Sequence, residues 1–167
     1  MEQRKTDTGQ NVEFQEREWT VQRIGWIAMG LVVLAAFIGL LGNSGPLATE
    51  KMRASDGTLE VKVNRIEQHH GPGELTVKVG PEHVQGGEVR IWLDGEYASR
   101  FGLETVVPEP ESVVAEPDRM VFVFAAGDES GPLTITFNHE HNGYWIEKGR
   151  LGVVDGPSVS FTQFVFP

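Results

Sequence analysis

Five histidines are the residues best equipped for chemistry, and four of them come as close pairs, His69-His70 and His139-Glu140-His141. On an extended segment residues two apart share a face, so His139 and His141 would aim both imidazoles to one side. Zinc asks for more than two donors: a structural site takes four ligands, and a catalytic site takes three with one position open. The spacing is not that of an H-E-x-x-H protease, and it falls where a strand runs into the turn at His141-Asn142-Gly143. No third ligand stands at a telling distance along the chain. The histidines therefore read as solvated turn residues, and neither a metal nor a cofactor is expected.

Other chemistries find less support. The chain lacks cysteine, which removes thiolate catalysis, disulfide stapling and a lipoprotein anchor. No G-x-S-x-G occurs, and Gly156-Pro157-Ser158-Val159-Ser160 reads as a turn entering a strand. The carboxylate pairs Glu109/Glu111 and Asp128/Glu129 fall in predicted turns, where solvent surrounds them and nothing raises their pKa. Neither pair has the spacing of a calcium loop. The 20 glycines form no G-x-G-x-x-G and no P-loop. With no catalytic residue set, the expectation is a protein that is not an enzyme. A formal net charge of -10 over 167 residues also argues against nucleic acid as a partner, since phosphate binding needs a basic surface.

The elements along the chain are easier to read than its chemistry. Residues 1–11 are polar and aperiodic and read as a disordered cytoplasmic tail. Residues 12–23 predict a juxtamembrane helix, with Glu13 and Arg17 four apart in the favourable order and Val12, Trp19 and Trp26 repeating every seven. From Ile24 to Gly42 every residue is apolar or glycine. As a helix that stretch is roughly 28 Å long, close to the thickness of a hydrocarbon core. It is longer than the apolar segment of a cleaved signal peptide and follows an unusually long charged leader, so 24–42 reads as a permanent transmembrane helix. Arg4, Lys5, Arg17 and Arg23 on the N-side against Lys51, Arg53 and Lys62 on the C-side orient it with the N-terminus in the cytoplasm. The expected location is the inner (plasma) membrane, crossed once by a signal anchor.

Residues 43–57 (GNSGPLATEKMRASD) read as a flexible linker. From residue 58 to 167 the period becomes two. Leu59, Val61 and Val63 alternate with polar residues, as do Leu75, Val77 and Val79, and Val89, Ile91 and Leu93. Further runs cover 119–125, 133–139, 144–154 and 158–166, separated by turns such as GPGE, QGG and HNG. Seven or more short strands with one polar face each predict an antiparallel β-sandwich of the immunoglobulin or fibronectin type, with a small barrel as the alternative.

Two stretches are denser than an anchor requires. Phe14–Trp26 gathers Phe14, Arg17, Trp19, Arg23 and Trp26 at the membrane boundary, where one aromatic and one basic residue would serve. Further along, Ala35, Gly39 and Asn43 set small residues four apart, which lets a second helix approach. The last strand, 158–166, carries three phenylalanines. The pattern EREWxxQRxGW, with VRIWLD (Val89–Asp94), DRMVFVF (Asp118–Phe124) and the closing GPSVSFTQFVFP, resembles a group of small bacterial single-span membrane proteins of unassigned function with an extracytoplasmic β-domain. The resemblance implies architecture and transfers no site. The expected partners are the lipid bilayer and a polytopic integral membrane protein, contacted through Phe14, Arg17, Trp19, Arg23, Trp26, Ala35 and Gly39. The expected function is an accessory or interaction protein. The alternative is an extracytoplasmic module that binds a small solute, glycan or peptide, with Trp92, Tyr97, Tyr144 and Trp145 as stacking platforms.

Overall fold

The computed structural model describes residues 12–37, 48–127 and 131–167, with side chains in the first helix described from Glu18 onward. The expected tail over 1–11, Gly39 and Asn43, and the pair Asp128/Glu129 lie outside the described residues. An N-terminal apolar helix, α1 (Val12–Phe37), precedes an all-β domain of two sheets. The helix runs without a break through the expected juxtamembrane segment and the expected span as far as Phe37, as the absence of proline and the supply of Leu, Ala and Met allow; residues 38–42 of that span lie outside the described residues.

The first sheet contains β1 (Thr49–Arg53), β2 (Leu59–Asn64), β4 (Pro72–Val79), β9 (Leu133–His141) and β6 (Phe101–Val107), in the order β1-β2-β4-β9-β6. The second contains β3 (Ile66–Gln68), β11 (Ser158–Phe166), β10 (Trp145–Val153), β5 (Glu88–Asp94), β8 (Arg119–Ala125) and β7 (Ser112–Ala115), in that order. Alternating apolar residues make the inner face of each sheet. Val61, Val77, Ile135 and Phe137 from the first meet Ile91, Phe122, Phe124 and Leu151 from the second in one dry core. Two facing sheets around one core make a β-sandwich.

Three features depart from the sequence reading. First, the sandwich is not purely antiparallel, because β3 pairs parallel with β11 (Ile66↔Phe164, Glu67↔Val165, Gln68↔Phe166). Second, a short helix, α2 (Gly95–Arg100), follows β5, started by Asp94, whose carboxylate accepts from the backbone N–H of Glu96 and Tyr97 at 3.1 and 3.3 Å. Third, the middle third of the expected linker is the edge strand β1. Its charges hid it, yet charge is what an edge strand tolerates: Arg53 bonds Glu60 at 2.7 Å and Glu50 pairs with Arg65 at 3.4 Å.

The domain therefore begins before residue 58. Ala48 and Ala54 are buried, Met52 packs on the core, and the Ala48 carbonyl accepts from the Arg65 N–H at 2.7 Å. A fragment starting at Ala48 is expected to fold as an independent β-domain. One starting at Ser55 is expected to melt at least ~5 °C lower, because an edge strand worth more than about 1 kcal/mol is missing. Parallel circular dichroism melts check this.

Candidate functional site

The strands gather an unexpected set of side chains at one end of the sandwich. After Asn64 the chain leaves the first sheet, runs along the second for the three residues of β3, and returns to the first at Pro72. That excursion aims Glu67 inward between the layers, where it is fully buried. On the facing sheet, the inward face of β9 continues from Ile135 and Phe137 to His139 and His141, both fully buried. The expectation of solvated turn histidines fails for these two, because β9 extends two residues past its predicted end and keeps its period.

Glu67 Oε2 stands 3.1 Å from His139 Nε2 and 3.8 Å from His141 Nδ1. One donor atom from each of the three residues lies within 4.8 Å of the others. His139 stacks on Phe101 with ring centroids 3.9 Å apart, which fixes its plane, and His141 lies 5.7 Å from the Tyr97 ring. Among the described residues, four polar atoms in this cluster have no hydrogen-bond partner: Glu67 Oε1, His139 Nδ1 and both ring nitrogens of His141. Burial lowers the pKa of His141, with the Glu67 charge opposing that shift and His139 adding to it.

A polar rim surrounds the three. Tyr97 from α2 donates its hydroxyl to Gln163 Oε1, and Gln163 Nε2 donates to the Asn64 carbonyl at 2.8 Å. Burial pushes the Tyr97 phenol well above its ordinary pKa, and the charges of Glu67 and Glu147 push the same way. Arg100, also on α2, bonds Glu147 at 2.6 Å and Glu96 at 2.9 Å. Two glycines make room: a Cβ on Gly73 would fall 2.4 Å from His139 Nε2, and one on Gly143 would fall 2.9 Å from His141 Nε2.

The other pair stays at the surface, as expected. His69 is half-buried, its Nδ1 3.2 Å from the Gly143 carbonyl and its Nε2 2.6 Å from the Tyr144 hydroxyl, while exposed His70 bonds Glu140. Glu109 and Glu111 are exposed. Of the four aromatics considered as platforms, Tyr97 is removed by burial, whereas Tyr144 and Trp145 are open to solvent and Trp92 is half-buried with its indole N–H donating to the Val153 carbonyl.

The residues expected at a helix interface lie elsewhere, on α1. Trp19 and Trp26 are exposed, and the Arg23 guanidinium sits 4.9 Å over the Trp19 ring. Ala35 is half-buried. Phe14 and Arg17 are on the same helix with side chains outside the described residues, and Gly39 lies beyond them.

The sequence reading missed Glu67, Glu147 and Gln163, and it named Tyr97 only as a stacking platform for a ligand. Only the two-residue spacing of His139 and His141 signalled the cluster; Glu67 sits in an unremarkable RIEQHH run. No protein-family description matches the chain, and no curated protein does either. Among solved structures, the chain is similar to a cohesin module from a family 33 glycoside hydrolase of Clostridium perfringens, at 15% identity and a TM-score of 0.42, over 65% of this chain and 96% of that one. A likeness of that depth carries no argument about activity or partners.

Proposed function

We propose that this chain belongs with small bacterial single-span membrane proteins and acts as a non-enzymatic accessory protein. Its helix crosses the plasma membrane with the N-terminus in the cytoplasm and associates with a polytopic integral membrane protein. The acidic sandwich stands outside as a binding or structural module, and its two facing sheets support an immunoglobulin- or fibronectin-like assignment.

One observation carries the reading. The segment Glu18–Phe37 has a mean hydropathy of 1.6, and among the described residues none of that window is buried. Side chains such as Ile24, Ile27, Leu31 and Phe37 are left open all around the helix. Exposed apolar area is unfavourable by roughly 25 cal/mol per Å², and a helix apolar on every side suits hydrocarbon. Trp19 and Arg23, stacked at the polar end, fit headgroup depth.

Sidedness is testable because the chain has no cysteine. Ser55→Cys, in an exposed turn, is expected to react with an impermeant maleimide in intact cells, and Thr8→Cys is not. Labelling of the Thr8 site alone would reverse the orientation. For the partner, Trp19→Ala is expected to weaken association with the polytopic protein crosslinked at this position on the order of thirtyfold, with insertion unchanged. Unaltered crosslinking and recovery would leave a plain anchor.

A second reading, recognition of a small solute, glycan or peptide, is favoured by one surface. Trp145 and Ile146 are exposed beside Phe164, with Trp145 edge-on to Phe164 at 6.1 Å, next to a groove of about 670 Å³. Ligand-dependent tryptophan fluorescence that disappears in Trp145→Ala would favour it over the first.

A further inference from the structure

We propose that Glu67, His139 and His141 form a structural site for one divalent transition-metal ion of the zinc class, which clamps the two sheets together. The proposal is independent of the membrane role and concerns the sandwich itself.

The cluster is unsatisfied as an organic network. A hydrogen bond between His139 Nε2 and Glu67 Oε2 accounts for one pair of atoms, yet Glu67 Oε1, His139 Nδ1 and both nitrogens of His141 remain without partners in a fully buried place. Native interiors do not ordinarily leave such groups bare. A cation would satisfy the carboxylate and both imidazoles together. Arg100, partly exposed at the rim of the cluster, is already held by Glu147 and Glu96. A bound ion would take that role.

The donors select the ion. Two imidazole nitrogens and a carboxylate suit zinc and its first-row neighbours; calcium and magnesium ask for oxygen, and copper(I) asks for sulfur. The donor atoms lie within 4.8 Å of one another, and ligands around a four-coordinate zinc stand roughly 3.3 Å apart, so small side-chain movements close the set. Gly73 and Gly143 leave the space beside the imidazoles that any Cβ would fill. His141 has its second nitrogen turned to the side where Glu147 Oε1 also lies near Gly143, the kind of outer carboxylate that orients a metal-bound histidine.

Position sets the role. With Glu67 Oε1, which has no other partner, beside Oε2, the two imidazoles and the carboxylate supply the four donor atoms of a structural site, and all three residues are sealed from solvent, so a substrate has no path to the ion. Glu67 belongs to a strand of three residues held to its sheet by one neighbour, and the histidines belong to the opposite sheet. An ion between them ties the short strand β3 across the sandwich.

The test uses the full-length chain without a polyhistidine tag, purified in mild detergent without chelator. Elemental analysis is expected to find about one equivalent of zinc per chain, and less than about 0.1 in Glu67→Gln, His139→Gln and His141→Gln. His69→Gln with His70→Gln is the surface control and is expected to keep the metal. Zinc added to chelator-treated wild type is expected to raise its Tm by at least ~5 °C. Cobalt(II), a coloured stand-in, is expected to give the strong visible absorption of a four-coordinate site, saturating at one equivalent; this readout needs no variant to fold. Wild type that binds neither ion and gains no stability overturns the proposal. So does metal that survives all three buried substitutions or leaves with His69 and His70.

Discussion

Phe137→Ala is expected to lower the stability of the sandwich by about 3–5 kcal/mol. Phe137 is fully buried near the middle of β9, and its ring meets Phe122 at 5.1 Å and Phe124 at 6.4 Å from the facing sheet and Phe101 at 6.5 Å from its own. Truncation removes the transfer free energy of the ring and leaves a cavity between the layers. The surroundings cannot close over it, because β8 is held on both sides, with Phe122 paired to both β5 and β7 and Phe124 paired to β5. Urea unfolding of the full-length chain in detergent, followed by near-ultraviolet circular dichroism, reads the loss. Phe164→Ala, which empties a 41% exposed position, is the control and is expected to change stability by about 1 kcal/mol or less. A loss that small at Phe137 would mean that the two sheets do not meet there.

The second large effect concerns the ion pair at the rim of the buried cluster. Arg100→Met is expected to destabilise by about 2–3 kcal/mol, because it strips Glu147 of its cation while the Glu147 side chain is only 5% exposed. The figure sits at the lower edge of what broken buried pairs show, since the Arg100 side chain itself is 43% exposed and water screens part of the attraction. The double variant Arg100→Met with Glu147→Gln is expected to regain much of the loss. A neutral amide needs no cation and can still accept from the Tyr144 N–H, now held by Glu147 Oε1 at 3.3 Å. A double-mutant cycle on the same unfolding assay separates the pair from the packing of each stem. If the double variant loses the sum of the two single losses, the contribution of Arg100 is packing and not charge.

These two positions show unequal legibility. Phe137 lies in a run, LTITFNH, whose period of two announces a strand and assigns its inward face. Arg100 and Glu147 carry no such mark. They are 47 residues apart, and they meet because Asp94 starts a single turn and a half of helix that turns Arg100 toward β10. The final strand falls between these cases. Its position is evident in the sequence, but its environment is not: it is interior to its sheet, with Phe161 in the core and Phe164 open on the other face.

The sequence by itself determined the apolar helix, the strands at 59–64, 89–94, 119–125 and 158–166, and the lack of the familiar catalytic motifs. Those properties are local: side-chain period follows backbone conformation, and each buried face has to declare itself within a few residues. Only the tertiary structure decided that β1 belongs to the sheet, that β3 pairs parallel with β11, and that Glu67 meets His139. Strand pairing is set by contacts between distant segments, and those two side chains are 72 residues apart in the chain. A charged run can be a tether or an edge strand, and a histidine can be solvated or sealed, depending on which strand lies beside it. Glu67 was invisible in the sequence as a neighbour of the two histidines because a chain excursion of three residues, rather than any spacing, carried it between the sheets.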